Sequence, residues 1–222
     1  YELRVVSQAG ALLSSAQIAA IMTGKHARHE QPTAARYVGA LDVAGDAATP
    51  ESRPDAQVLT IAALTHDDAG NPVLEVAAMY ELGNLREDIT RDTVTTTARR
   101  WNLAHLVIDA TGIGHNTALE LRRRLGDSHV TPFKFTQESK SRIGFALISA
   151  ASTGRLRMYA TPDDERDELT RQLRAARREL LPNERIAWSV PDTAGHDDHL
   201  VSLALLTEAA ELAGAPRLAR GR

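Results

Sequence analysis

The apolar pattern of this chain changes its period once, near residue 84, and that change constrains the fold more than any other feature. Before it, residues 37–44, 57–64 and 73–82 read as three extended segments. The second and third are joined by His66-Asp67-Asp68-Ala69-Gly70-Asn71-Pro72, whose Asp, Gly, Asn and Pro stop a strand and favour a turn. Three consecutive strands of this kind predict an antiparallel meander. After residue 84, short apolar runs alternate with segments of helical period. Strands are expected over 105–109, 130–135, 156–159 and 185–190, and helices over 85–101, 115–125, 139–152, 163–180 and 197–212. The first of these helices contains the β-branched run Thr93-Val94-Thr95-Thr96-Thr97, which lowers its intrinsic propensity. An antiparallel βββ unit followed by βα alternation predicts an α/β fold: a mixed sheet with helices on both faces.

With 222 residues, the chain can bury one α/β core. The expected division is a helix and polar linker over 1–35, the domain proper over 36–214 and a basic tail over 215–222. No run approaches the roughly 20 apolar residues of a membrane span, and no basic segment leads into an apolar run as in a secretory signal. Tyr1 stands where an initiator Met would, so a fragment of a longer protein is expected. Cys is absent, which removes disulfides, thiolate chemistry and Cys-ligated zinc, and fits a reducing cytoplasm. A net charge of −3 sets the chain apart from globally basic nucleic-acid binders but leaves room for a local basic stripe.

Three acidic positions fall where a hydrophobic element begins or ends. Asp42 follows Val38-Gly39-Ala40-Leu41, Asp109 closes Leu106-Val107-Ile108, and Asp197 and Asp198 open the last predicted helix in Gly195-His196-Asp197-Asp198-His199. Each has a bland reading. Asp42 suits a turn, Asp197 suits a helix cap, and the glycines of Asp109-Ala110-Thr111-Gly112-Ile113-Gly114 suit a tight strand-to-helix connection or a phosphate-binding loop. The dinucleotide pattern is incomplete, because Thr117 occupies the third glycine position. Taken together, carboxylates on two strands and one helix suggest a divalent-metal site for phosphodiester chemistry. In helical register Asp198 shares a face with Val201, Ser202 and Leu205, so it is the preferred third ligand, with Asp197 second. Zinc fits less well, since it favours His and Cys.

Basic residues cluster at Arg122-Arg123-Arg124, at Lys134, Lys140 and Arg142, and at Arg171, Arg174, Arg177 and Arg178. The first and last groups read as solvated helix faces. Lys134, Lys140 and Arg142 flank the end of a predicted strand near the acids and are the candidates for DNA phosphate contacts. No Gly-x-x-x-x-Gly-Lys-[Ser/Thr] occurs, which argues against P-loop ATP hydrolysis.

These motifs together resemble the C-terminal nuclease domain of the large terminase subunit of tailed phages or prophages. The resemblance spans residues 37 to about 212. It rests on Leu41-Asp42-Val43-Ala44-Gly45, on Val107-Ile108-Asp109-Ala110-Thr111-Gly112, on the segment 195–205, and on Lys140 to Tyr159. It implies an RNase H-like endonuclease that cuts double-stranded DNA during viral genome packaging, using two Mg²⁺ or Mn²⁺ ions. By the same resemblance, Asp42, Asp109 and Asp198 are the acidic metal ligands. The terminase ATPase domain, small subunit and portal are the implied partners, in the cytoplasm of a bacterial host. Val201 and Ser202 stand where resolvase relatives carry a further acid, which weighs against a resolvase. Two other readings remain open on sequence: a packaging or scaffold domain without catalysis, and an actin- or hexokinase-like phosphotransferase.

Overall fold

The computed structural model describes residues 10–43, 56–83, 85–112 and 114–214. Its main sheet has six strands: β2 (Tyr37–Asp42), β3 (Val58–His66), β4 (Pro72–Glu81), β5 (Leu103–Asp109), β6 (Val130–Phe133) and β7 (Leu156–Arg157). Their spatial order is β6-β5-β2-β3-β4-β7. The meander β2-β3-β4 is antiparallel, whereas β5 runs parallel to β2, β6 parallel to β5 and β7 parallel to β4. This is the mixed sheet that the change of period predicts. The short β1 (Gly10–Ala11) belongs to a second, three-stranded sheet of order β1-β8-β9, with β8 at Arg177–Leu180 and β9 at Ile186–Ser189.

Helices cover both faces of the main sheet. On one face lie α2 (Glu87–Arg100) and α3 (Gly114–Leu125), which bury Val94, Ala98, Ala118 and Leu121 against Tyr37, Leu41, Leu59 and Ile108. On the other lie α1 (Ser15–Ile21), α4 (Gln137–Ser152), α5 (Asp164–Ala175) and α6 (Asp198–Gly214), packed on Val38, Ala40, Val58, Val76 and Val107. The alternation of a strand explains the split: Val38 and Ala40 face one layer while Tyr37 and Leu41 face the other. Every residue of β2 is buried, because this strand is central and covered twice. α6 lies across the middle of the sheet, and all but four of its 17 residues are buried. It is therefore apolar all round rather than amphipathic. Ser202, its buried polar residue over β2, donates to the Ala40 carbonyl at 3.1 Å and shares a 2.7 Å hydrogen bond with Thr60.

One sequence reading needs correction. The helix expected over 163–180 ends at Ala175, and Arg177–Leu180 is a strand. Ala176 turns to an extended backbone (φ −57°, ψ 135°), after which β8 pairs antiparallel with both β1 and β9. Pairing on both sides overrides the helical period of the arginines. The expected helix and linker over 1–35 contains α1, but it also supplies Leu12, Leu13, Ile18 and Ile21 to the core, together with β1. The loop expected over 47–55 and the tail over 215–222 lie outside the described residues.

Candidate active site

Asp42 and Asp109 are the last residues of β2 and β5. The strands are parallel neighbours, and Leu41 pairs with Ile108, so the two acids occupy the next rung at the same end of the sheet. Alternation also gives them one face. Val38 and Ala40 precede Asp42, and Val107 precedes Asp109, in the layer covered by α6. Asp198 begins α6 on that face. Its Oδ2 accepts the Ala56 amide at 2.9 Å, two residues before Val58, which pairs directly with Asp42. Asp42 and Asp198 are 7% and 8% exposed, so both carboxylates are held inside the rim of the sheet.

The β5–α3 connection is shaped to keep Asp109 in place. The Asp109 Oδ1 accepts the Thr111 amide at 2.8 Å, and Gly112 adopts φ +57°. A Cβ at Gly114 would stand 2.3 Å from the Asp109 carbonyl oxygen and 3.3 Å from Cβ of Val43. The two glycines are thus required sterically, one for a left-handed turn and one for close approach to both strand ends. Burial raises the Asp109 carboxyl above its ordinary pKa, opposed by the hydrogen bonds to Thr111 and by the positive charge of Lys140.

Lys140, on the first turns of α4, reaches into this end of the sheet. Its Nζ stands 4.0 Å from Oδ2 of Asp197 and lies over the rings of Trp188 and Phe135, at 4.9 and 5.9 Å from their centroids. Lys134 is exposed at the end of β6, and its carbonyl accepts the Ser139 hydroxyl. Arg142 pairs with Glu208 of α6 and stacks on Phe133 at 5.7 Å. Asp197 precedes the first residue of α6, and its carbonyl accepts the Val201 amide at 2.7 Å.

The His-Asp-Asp-His tract divides its labour. His199 is buried, with only 1% of its surface exposed. Its Nδ1 lies 3.4 Å from Nε2 of Gln172, and its Nε2 lies 3.6 Å from Oε2 of Glu81. Burial lowers its pKa, with Glu81 and Glu168 acting in the opposite sense. Glu81 pairs with Val58 across the sheet, so Asp42, Val58 and Glu81 form one row at the site end.

Carboxylate oxygens are hard donors, and three of them on one face at one sheet end fit Mg²⁺ or Mn²⁺ by donor type. Among the described residues, no three His, Asp or Glu side chains stand close enough together to hold an ion as placed. Sequence reasoning singled out the acids and Lys140; it did not single out Trp188, Gln172 and Glu81, which the structure places next to Lys140 or His199. The signal for Trp188 was Gly144, a glycine inside a helical pattern, which implies a close neighbour.

No protein-family model matches the chain, and no curated protein matches it. Solved structures do. The large terminase nuclease of thermophilic phage G20c with bound magnesium superposes with a TM-score of 0.64 at 16% identity, over 90% of this chain and 97% of that one. The nuclease domain of the large terminase subunit gp2 of bacterial virus Sf6 gives 0.57 at 15% identity, over 93% and 99%. This chain has the RNase H-like fold of large terminase nuclease domains. The HK97 bacteriophage large terminase matches with a TM-score of 0.63 at 13% identity, over 94% of this chain but 44% of that one. This chain thus matches less than half of that longer protein. The G20c nuclease has also been solved with cobalt and with zinc. Among the described residues, no helix is long and apolar enough to cross a membrane.

Proposed function

We propose that this chain is a divalent-metal-dependent endonuclease that hydrolyses double-stranded DNA during viral genome packaging. The observation that carries the reading is the register of β2 and β5. It sets Asp42 and Asp109 side by side at one sheet end, on the face where α6 presents the buried Asp198.

Asp42, Asp109 and Asp198 would hold the metal, with Asp197 as the second choice to Asp198. Two bound Mg²⁺ or Mn²⁺ ions would supply an activated water and a counter-charge for the leaving 3′ oxygen. The chain does the rest. The Thr111 amide fixes the Asp109 carboxylate, and the Ala56 amide fixes that of Asp198. Lys140 offers the one ammonium placed beside these acids among the described residues. It neutralises part of their repulsion toward an approaching phosphate. Lys134 is exposed for a backbone contact, while Arg142 is committed to Glu208. The sequence shows no base-reading motif, so cutting should be largely independent of sequence.

In this reading the partners are double-stranded DNA and, within a packaging assembly, the terminase ATPase domain, small subunit and portal, in the host cytoplasm. The test is nicking of supercoiled plasmid with Mn²⁺, Mg²⁺ and EDTA. Nicked and linear products with either metal and none with EDTA are expected. No cutting under any metal would return the chain to a scaffold role, and calorimetric ATP binding would favour the phosphotransferase.

A further inference from the structure

The geometry points to Trp188 as a positioning residue that acts through Lys140, docking the β8–β9 hairpin onto α4 so that the ammonium is held beside the acids. The inference rests on the nuclease reading above. Three observations carry it. The indole Nε1 donates to the Lys140 carbonyl at 2.7 Å, and the indole face lies under the Lys140 ammonium at 4.9 Å. One side chain therefore grips the same residue at its backbone and at its charge. Next, α4 is cut away to receive it. A Cβ on Gly144, one turn after Lys140, would stand 2.4 Å from the indole Nε1 and 3.1 Å from Cδ1 of Ile186. A buried glycine in mid-helix costs about 1 kcal/mol against Ala, so the close approach is bought at the helix's expense. Finally, a second bond fixes the strand, as the Ile186 amide donates to the Ser141 hydroxyl at 2.9 Å.

A lysine on a flexible four-carbon stem samples many rotamers. Phe135 lies on a second side of the ammonium at 5.9 Å and Asp197 at 4.0 Å. Trp188 is the nearer and stronger of the two aromatic faces. It is 4% exposed, so it offers DNA almost nothing directly, and its effect has to pass through what it touches.

The test is a double-mutant cycle with Trp188→Leu, Lys140→Met and the pair, read as kcat and KM for plasmid nicking in saturating Mn²⁺. Trp188→Leu is expected to lower kcat about tenfold with KM changed less than about twofold. The double variant should be no slower than Lys140→Met alone. Trp188→Phe, which keeps a ring under the ammonium, should recover most of the loss. Independent multiplication of the two defects, or equal rates for the Leu and Phe variants, would reduce Trp188 to packing and overturn the proposal.

A readout without DNA separates this from the nuclease reading. The chain has three lysines, Lys25, Lys134 and Lys140. Brief acetylation followed by mass spectrometry should label Lys140 several-fold faster in Trp188→Leu than in the wild type, with Lys25 and Lys134 unchanged. Unaltered Lys140 labelling overturns the coupling. Altered labelling in a protein that never cuts DNA keeps the contact but removes its catalytic role, and the failure then lies in the nuclease reading.

Discussion

The side-chain oxygen of Gln172 accepts the backbone amide of Leu200 at 2.9 Å, so α5 caps the N-terminus of α6 from outside. The first amides of a helix have no partner within it, and here one is satisfied by a residue 28 positions away that is itself 1% exposed. The Gln172 amide nitrogen donates to Glu168 at 2.8 Å and faces His199. Arg171 in turn binds the Ala194 carbonyl in the loop before α6. The segment that carries Asp198 is thus held by one face of α5.

Replacing Gln172 with Leu should therefore cost about 1–3 kcal/mol, because it strands the buried Leu200 amide. Gln172→Glu keeps an acceptor but sets a second carboxylate against Glu168, and should also lose stability. Urea unfolding measures both. Nicking activity at a temperature where each variant is still folded should fall as well, since the start of α6 loses its anchor. Full activity in the Leu variant would mean that Asp198 is placed by the sheet contacts alone.

Asp42→Asn should abolish cutting and leave the fold intact. The side chain sits at a strand end and keeps one oxygen, so packing changes little. In wild type, Mn²⁺ should raise the melting temperature, because a ligand bound only to the folded state stabilises it. In Asp42→Asn that rise should shrink or vanish. Cutting at the wild-type rate would end the assignment of Asp42 to the metal.

Asp198 and Asp197 should separate cleanly. Asp198→Asn retains an acceptor for the Ala56 amide, so the fold should hold while cutting drops by about a hundredfold or more. Asp197→Ala keeps the carbonyl that accepts Val201 and loses a carboxylate next to Lys140. Its rate should stay within about tenfold of wild type, with a stability loss of about 1 kcal/mol. Measured kcat for the two variants decides the register, and the reverse order would move the ligand to Asp197.

Much of this was legible in the sequence because it is local. The change from strands to βα alternation predicts the antiparallel meander and the mixed sheet covered by helices on both faces. The boundary at Ala175 was not legible: Arg174, Arg177 and Arg178 fit a helix face, and only the pairing of β8 with β1 and β9 decides otherwise. Non-local contacts also hid Gln172 and Trp188. Each serves an element distant in sequence, Leu200 at 28 residues and Lys140 at 48. Arg142, a candidate DNA contact by sequence, pairs with Glu208, a partner 66 positions away that no local pattern reveals.

The α5 anchor has a signature in acid. Its hydrogen bond with Arg171, aided by Gln172, lowers the Glu168 carboxyl to about 2 despite partial burial. A carboxylate whose folded pKa lies below its unfolded value stabilises the protein above the unfolded value, about 4.3, and that contribution disappears as pH falls toward the folded one. The wild type should therefore lose stability between about pH 4.3 and 2 more steeply than Glu168→Gln. Parallel curves of melting temperature against pH would show that the pair with Arg171 adds nothing in solution.

DNA binding by the isolated chain should be weak, indifferent to sequence and sensitive to salt. The total charge is −3, and few cations near the acids remain for phosphates once Arg142 has paired with Glu208. Lys134→Glu should weaken binding of unrelated duplexes about equally and reduce the slope of log K against log salt by about one. Arg142→Ala should change that slope less, because its guanidinium is engaged within the fold. Fluorescence anisotropy across a salt series, with two unrelated duplexes, measures both. A tight complex with one duplex, unmoved by salt, would identify a sequence reader instead. Equal slope changes for Lys134→Glu and Arg142→Ala would show that Glu208 releases its partner to DNA.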